Sequence, residues 1–482
     1  MRRNEVIAAE RLVIKNFFSI TFFDWEIKEF NILTGGIAAG KSLCVKLAYF
    51  FESVLTEVIS SAYKEFFTEE FFYDGIAKEF NDIFHSQDPE HDYHDTYIKY
   101  TFETNKREFD LSVKWDAKIK KLKWESKYID NHIEIWYDKI KSKKNFFEGR
   151  GMIMKSISAE FRSHLPKTTL FFPATRAIAS IINIDIDTSI KTDIKLKDIV
   201  QDKFFCTFIE YTKYIRNLDV FDKSLSEIND ILKPYKLSRS REELTIPQLL
   251  KFSNEVKLIS ELVYKTTGKN ERVITPLEMS SGQQEIYYLL NLINHLDNFF
   301  YFYYTRRINY PIKNSLSLFI EEPSTHLYPQ EQKTTIEFII KNFRKLKDDN
   351  KINTRFFVTT HSPYTLNVLN NALLKGKIIE DKEKIIKVNK KKNKKNPKLL
   401  NEIDSNINKI KFPHIFYDET TAFFIEDQDK CDNQKKQCRD MMIKDKGVMS
   451  ADEIVDISFM INDDTNHLLC LINELSGIKE ER

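Results

Sequence analysis

The chain has 482 residues, 42% hydrophobic and 30% charged, enough for a large core and for more than one structural unit. Its 74 Lys and Arg stand against 72 Asp and Glu, a net charge of +2, so no global field favours nucleic acid or an acidic membrane, and any basic patch must be local. Five cysteines with no CxxC pair and no zinc spacing suit free thiols in a reducing compartment, "MRRNEVIAAERL" lacks the apolar core of a signal peptide, and no apolar run reaches the roughly 18 residues that span a bilayer; the expected location is the cytoplasm, with no membrane partner.

In chain order, "RLVIKNF" and "EFNILTGG" read as short strands. The second runs into "GGIAAGKS", Gly35 to Ser42, followed by the helical pattern "LCVKLAYFFESVL" that Leu43 opens. This is the G-x-x-x-x-G-K-S spacing of a P-loop. Gly35 and Gly40, with Gly36 beside them, let successive N–H groups turn toward an anion. Lys41 reaches the β and γ phosphates, and the Ser42 hydroxyl ligates magnesium. Leu55 to Phe84 is helical in period. "TYIKYTF", "FDLSVKW" and "IKKLKWES" then alternate as antiparallel strands. Asn131 to Val273 reads as mostly helical, broken by "KTTLFFPATRAIAS", an apolar strand ending near Arg176, which suits either a phosphate contact or an ordinary surface position. The "HDYHD" cluster, His91 to Asp95, reads as a loop before a strand rather than a metal site. No heptad pattern persists long enough for coiled-coil arms.

"PLEMSSGQQEIYYLLNLINHL" places Ser280, Ser281, Gly282 and Gln283 at the start of an amphipathic helix, suited either to a phosphate or to plain N-capping. "SLSLFI" is apolar on both faces and stops on Glu321 and Glu322 before Pro323. Two carboxylates at the crevice end of a covered strand call for a cation nearby. If Ser42 holds one side of Mg²⁺, Glu321 is suited to the other, and Glu322 to polarising the attacking water. "TRFFVTTHSP" is a further apolar strand, ending at His361, a candidate sensor of the γ phosphate or a satisfied polar residue. Beyond it, "KVNKKKNKKNPK", Lys387 to Lys398, reads as a basic solvated loop, the alternative being a contact with nucleic acid or an acidic partner. Asp427 and Asp429 fit an acidic turn rather than a nuclease centre.

The order of P-loop, "MSSGQ", "EEPSTHLYP" and "THSP" resembles the ABC-type ATPase heads of the SMC, RecN and OLD group, and most closely the OLD-like ATPases of bacterial antiphage defence. The resemblance implies an α/β P-loop NTPase of ABC/SMC-head type, with a mixed sheet, an antiparallel β-subdomain and a mainly helical insertion. It implies that Met279 to Gln283 are the signature motif, "PSTHLYP" the D-loop region and His361 the switch histidine. Catalysis would rest on Glu322, His361 and Lys41, nucleotide binding on Gly35, Gly36, Gly40, Lys41, Ser42 and Leu43 with Ser280, Ser281, Gly282 and Gln283 from a second copy, and metal binding on Ser42 and Glu321. The chain departs from the group's pattern at Glu321, where an Asp is usual, and at Ser281, where a Gly is usual; Gln87 is the nearest candidate for the Q-loop glutamine.

The implied divisions are an N-terminal ATPase lobe over 1–127, an insertion over 128–273, a C-terminal lobe over 274–388 and a basic tail region over 389–482. The implied cofactors are ATP and Mg²⁺. The partner is a second copy in an ATP-sandwich dimer, or more copies in a higher homo-oligomer. Stand-alone ATPases of the PARIS and Septu defence systems work beside a separately encoded nuclease, so an effector nuclease, a phage protein as trigger and nucleic acid are further expected partners. The rival readings are a RecF- or RecN-like DNA-maintenance ATPase that binds DNA itself, and a nucleotide-binding scaffold with little turnover.

Overall fold

The computed structural model describes residues 9–36, 38–61, 68–84, 86, 89–104, 107–142, 146–161, 164–165, 167–174, 204, 208, 237–244, 259–266, 273–274, 280–294, 296, 315–349, 352–391, 405–407, 409–410, 412–426, 438–444 and 446–450. Contacts group the chain into two units, one of residues 1–170, 300–322 and 336–482, the other of residues 171–299 and 323–335.

The first unit begins with β1 (Ala9–Phe17), β2 (Ile20–Glu26), β3 (Phe30–Gly35) and α1 (Lys41–Ser61). It continues through α2 (Glu69–Ile83), the short α3 (Pro89–Asp92), β4 (Tyr97–Glu103), β5 (Glu108–Asp116), β6 (Lys121–Glu125), α4 (Lys127–Lys141) and α5 (Phe146–Glu160). β7 (Thr168–Phe172) follows, its first three residues in this unit. The second unit holds β8 (Leu237–Leu244), β9 (Ile259–Thr266), β10 (Val273–Ile274) and α6 (Ser281–Asn294). Later come β11 (Ser315–Glu321), α7 (Pro329–Arg344), β12 (Asn353–Thr360), α8 (Pro363–Lys391), β13 (Thr420–Ile425) and β14 (Cys438–Asp440).

The run "FNILTG" makes β3, buried at every position, as a strand covered on both faces must be. The fully buried β11 and nearly buried β12 have the same character. They share a mixed sheet in the order β14-β13-β3-β12-β11-β7. β12 runs parallel to β3 with Thr360 opposite Thr34, and β11 parallel to β12 with Glu321 opposite Thr359. The strand ends carrying Gly35, Glu321 and Thr360 therefore come out on the same edge, where open α/β sheets bind ligands.

The C-terminal region contributes more than a tail. β13, from "TTAFFI", lies parallel on the other side of β3, with Ile425 opposite Gly35. Glu419, just ahead of it, is bound by Arg344 and by Lys347, the latter at 2.6 Å, and Arg344 Nε donates to the His414 carbonyl at 2.8 Å. A six-residue apolar run has too little periodicity to declare itself a central strand; its long-range pairing does.

A second sheet, β2-β1-β4-β5-β6, is antiparallel, and β4 alternates half-buried and buried positions along its length. β1, from "RLVIKNF", and β4 to β6 were expected as strands; β2 is new. Trp25 of β2 meets Phe357 of β12 edge-on at 5.5 Å, and Phe23 meets Phe423 of β13 at 5.0 Å. α1 carries Tyr49 against Phe319 of β11 and Phe51 against Tyr100 of β4, at 5.5 and 5.7 Å. Each such buried aromatic contributes about 1.5–3 kcal/mol by burial, so P-loop helix and both sheets form one core.

In the second unit, β8 and β9 form an antiparallel pair extended by β10, where a mostly helical stretch was expected. The β-branched and aromatic residues of "ISELVYKT" are the signal for it. Two further corrections concern local structure. Lys387 to Lys391, read as the start of a basic loop, form the last residues of α8, because "KIIEDKEKII" just before them holds no Gly or Pro to stop the helix. His91 and Asp92 end the short α3 and only then does the chain turn; among the described residues no group of three or more His, Cys, Asp or Glu could hold a metal. Gln87, Arg176, Lys392 to Lys398, Asp427 and Asp429 lie outside the described residues. No helix among the described residues is long and apolar enough to cross a membrane.

Candidate functional site

The site starts where β3 ends. Gly35 has φ +146° and Gly40 φ +100°, angles that L side chains rarely adopt. A Cβ on Gly35 would lie 2.2 Å from the Ile425 carbonyl oxygen, and one on Gly40 2.4 Å from Ile20 Cδ1. Gly35 is thus demanded twice, by the loop's own turn and by the backbone of β13, whereas at Gly40 the turn decides, since the end of the Ile20 side chain on β2 can shift. Gly40 then accepts the Cys44 N–H at 3.0 Å, the first bond of α1. The amides of this first turn point at the loop, with the positive end of the helix dipole behind them.

Lys41 is nearly buried, and its Nζ donates to the Gly35 and Gly36 carbonyls at 3.0 and 2.7 Å. These neutral acceptors hold the ammonium in the loop's concavity. A phosphate oxygen in their place would make a charge-assisted bond, about twice as strong.

Opposite the loop stand Glu322 and His361. Glu322 has φ +44°, the left-handed region that a branched or long side chain enters at a cost. Its N–H donates to the Thr359 carbonyl at 3.1 Å and contacts Thr359 Oγ1 at 3.2 Å, which holds the turn after β11 against β12. The carboxylate, 14% exposed, accepts the His361 N–H at 3.2 Å, and His361 Nδ1 lies 2.8 Å from the same Oε2. His361 is itself 53% exposed. Just beyond, Ser362 Oγ accepts the Thr365 N–H at 3.4 Å and Pro363 takes the first helical position, so α8 starts at once and fixes the histidine's backbone.

Between these walls is a cavity of about 780 Å³, within the range of small-ligand sites. Gly40, Lys41, Ser42 and Leu43 line it on one side, Glu322 and His361 on another. Gly35 and Gly36 shape the loop from behind, and Glu321 is buried at the end of β11 without reaching the wall. Ala38 and Ala39 of the same loop line the cavity as well, and so do Phe18, Ser19 and Asp92, which the sequence reading did not assign to the site. Phe18 and Asp92 are joined by the Phe18 N–H to Asp92 carbonyl bond, 3.3 Å, between positions far apart in the chain. No spacing signals such a pair, although the apolar Phe17-Phe18 step before a serine marks the turn that carries one of them.

Ser280 to Gln283 belong to the second unit. Ser280 caps α6 reciprocally with Gln283: the Gln283 N–H donates to Ser280 Oγ at 3.4 Å, and the Ser280 N–H to Gln283 Oε1 at 3.0 Å. Gly282 is pressed on the "PSTHLYP" loop of the same unit, since a Cβ there would come within 2.8 Å of the His326 carbonyl. His326 has φ +60°, and Gln332 Nε2 donates to the Leu327 carbonyl at 2.8 Å, fixing that loop. The serines at the helix start, Ser280 and Ser281, stay exposed.

The family described as the AAA ATPase domain matches residues 10–366, which takes in the P-loop, α6, the Glu321–Glu322 strand end and His361. No curated protein matches the chain. Among solved structures it is similar to an SmcHead bound to the C-winged helix domain of ScpA, at 12% identity over 75% of this chain and 92% of that one, TM-score 0.34. It is also similar to the SMC head domain from Thermotoga maritima, at 10% identity over 75% and 91% of the two chains with TM-score 0.29, and to the recombination mediator protein RecF-ATPrS of the RecFOR pathway, at 10% identity over 73% and 92% with TM-score 0.28.

Proposed function

We propose a function from one premise: the chain belongs to the AAA ATPase domain family. It binds ATP in the cavity at the end of β3 and hydrolyses the anhydride bond between the β and γ phosphates in a site completed by a second copy. The observation that carries this is the meeting of Lys41, Ser42, Glu322 and His361 around one cavity, from three segments distant in sequence.

Each residue has a role its position supports. Lys41 exchanges the Gly35 and Gly36 carbonyls for the β and γ phosphates, while the amides at the start of α1 take the remaining phosphate oxygens. Glu322 is held by Thr359 and by the His361 N–H so that its carboxylate faces the cavity, where it orients a water and takes its proton. His361, half exposed and touching that carboxylate, senses the γ phosphate from the same side. The donor on the cavity wall for Mg²⁺ is the Ser42 hydroxyl, a hard oxygen of the kind Mg²⁺ takes when substrate phosphates supply other positions, and the Glu321 carboxylate, buried behind the wall, would reach the ion through a water. When bound, the ion neutralises charge on the phosphates.

The signature residues Ser280 to Gln283 supply the exposed hydroxyls and helix N-terminus that close the site of the partner copy. A direct test mixes two inactive variants, Lys41→Ala and Ser281→Arg. Each homodimer has two damaged sites, but the mixed dimer has one intact site, so a 1:1 mixture should recover about a quarter of the native rate if sites lie across a two-fold interface. A mixture as inactive as its components would overturn the composite site.

At the cellular level, this ATPase acts as sensor and scaffold in an antiphage defence system, with a phage protein as trigger and a separately encoded nuclease as effector. Cells carrying the native operon with Glu322→Gln should lose protection against phage while the chain still copurifies with its effector. Undiminished protection would remove hydrolysis from the role.

A further inference from the structure

The outer face of the antiparallel sheet carries a row of side chains that ATP chemistry does not use. The register sets Phe22 opposite Lys15, Lys15 opposite Tyr97, Tyr97 opposite Lys114, and Lys114 opposite Lys123. One residue from each of five strands thus falls on a single line across the sheet in the order β2-β1-β4-β5-β6. All five occupy the face away from the core, since their chain neighbours, such as Ile98 and Val113, are buried.

Along this line aromatic and cationic groups are interleaved. Lys15 is exposed and its Nζ lies 5.8 Å from the Phe22 ring centre and 5.9 Å from that of Tyr97. Lys114 and Lys123 face each other directly, a like-charge pairing that destabilises a sheet unless something offsets it. Glu125 does so in part, at 3.4 and 3.0 Å from the two ammonium groups, yet both lysines remain about half exposed. Two positive charges are left over on the row, three lysines less one carboxylate. Two neighbouring acids on this face are matched by cations outside the row: Asp116, two residues beyond Lys114, stands opposite Lys121, and Asp24 is paired with Arg11 at 2.5 Å.

Strands are spaced about 4.8 Å apart, so the two rings stand about 10 Å from each other with an ammonium between them, and the row spans about 19 Å. A chain of phosphates alone would use the lysines and ignore the rings. A duplex would hide its base faces. The geometry points to a platform for single-stranded nucleic acid, on which bases stack on Phe22 and Tyr97 while phosphates meet Lys15, Lys114 and Lys123. DNA and RNA share this chemistry. The site lies outside the ATP cavity and does not depend on hydrolysis.

The test is fluorescence anisotropy of the full chain with labelled oligo-dT and oligo-U of about 12 nucleotides, with duplex DNA and heparin as competitors, over a salt series. Binding of either single strand, displaced poorly by duplex and heparin, is expected. Tyr97→Ala and Phe22→Ala should each weaken it by about 5- to 100-fold, and Lys15→Gln should lower the salt slope by about 0.7. Circular dichroism checks that these outer-face variants fold, and Tyr97→Ala should keep the basal ATPase rate, which separates this site from the ATP site. No binding, equal binding of duplex or heparin, or aromatic variants that bind as tightly as the native chain would overturn the platform.

Discussion

Glu10 and Glu52 lie wholly inside the first unit, whereas Glu322 stands at the lip of its cavity, and the two sets of carboxylates are neutralised by different means. Lys167 Nζ sits 2.5 Å from Glu10 and 2.9 Å from Glu52, Arg355 Nε lies 2.8 Å from the other oxygen of Glu10, and the Tyr100 hydroxyl donates to Glu10 at 2.6 Å. These groups come from β1, α1, β4, β12 and the segment ahead of β7, so the cluster ties the antiparallel sheet to the P-loop helix and to the strand that ends at His361. Glu322 instead meets a backbone amide and an imidazole and lines the cavity. An interior charge must be matched by the protein itself, because desolvation costs several kcal/mol per ion. A charge at a binding edge can wait for a ligand to bring part of its match.

Substitution at each cluster sharpens the contrast. The largest effect is expected from Glu322→Gln, which should lower kcat about 10²- to 10⁴-fold in a phosphate-release assay while nucleotide binding persists. Loss of both together would make Glu322 a binding group. Lys167→Met should behave in the opposite manner, costing about 3–5 kcal/mol in chemical denaturation because it strips the shared cation from two buried carboxylates. A near-native unfolding midpoint would mean the cluster reorganises freely.

His361→Ala is expected to reduce kcat about 10- to 100-fold with little change in stability, since the ring is half exposed and acts through its contact with Glu322 and substrate. A drop in stability as large as that of Lys167→Met would erase the distinction between the two clusters.

The smallest effect concerns pH. Burial pushes the Glu52 carboxyl up to about 7, with Lys167 opposing and Glu10 reinforcing the rise. Its folded value exceeds the ordinary 4.5, so the folded chain binds this proton more tightly than the unfolded one. That contribution is full below about pH 4.5 and is lost as pH rises through about 7. Glu10 runs the other way: burial would raise it, but Arg355 and Lys167 outweigh burial and hold it near 2, so its contribution is present above 4.5 and lost as pH falls toward 2. Glu52→Gln should therefore flatten the decline of Tm between pH 4.5 and 7 and leave the acid limb in place. An unchanged profile on the neutral side would exclude Glu52 as the titrating group.

Legibility differed by element. β3, β11 and β12 could be read because each is a short apolar run stopped by a chemically marked end: glycines and Lys41, paired glutamates, and His361. β4, β5 and β6 could be read from strict alternation. β2 was missed because Phe22 and Phe23 are adjacent and blur its period, and β13 because its apolar run lies far from any motif. Phe18 and Asp92 joined the site through a turn and a short helix linked by a backbone hydrogen bond and by the Phe18 ring against Tyr93, contacts between residues far apart in the chain. The basic run at Lys387 was misread as a loop because charge density was weighed over helix propensity.

The sequence by itself marked the chain as one of a P-loop ATPase family, since P-loop spacing and paired carboxylates at a strand end are dictated by phosphate and cation geometry and leave local marks. Only the tertiary structure decided that the C-terminal region supplies β13 beside the P-loop strand, that four charges interlock beneath the site, and that five strands align aromatic and lysine side chains on one row. Such features depend on strand pairing between residues hundreds of positions apart, and register over those distances is fixed by packing of the whole core rather than by any local pattern.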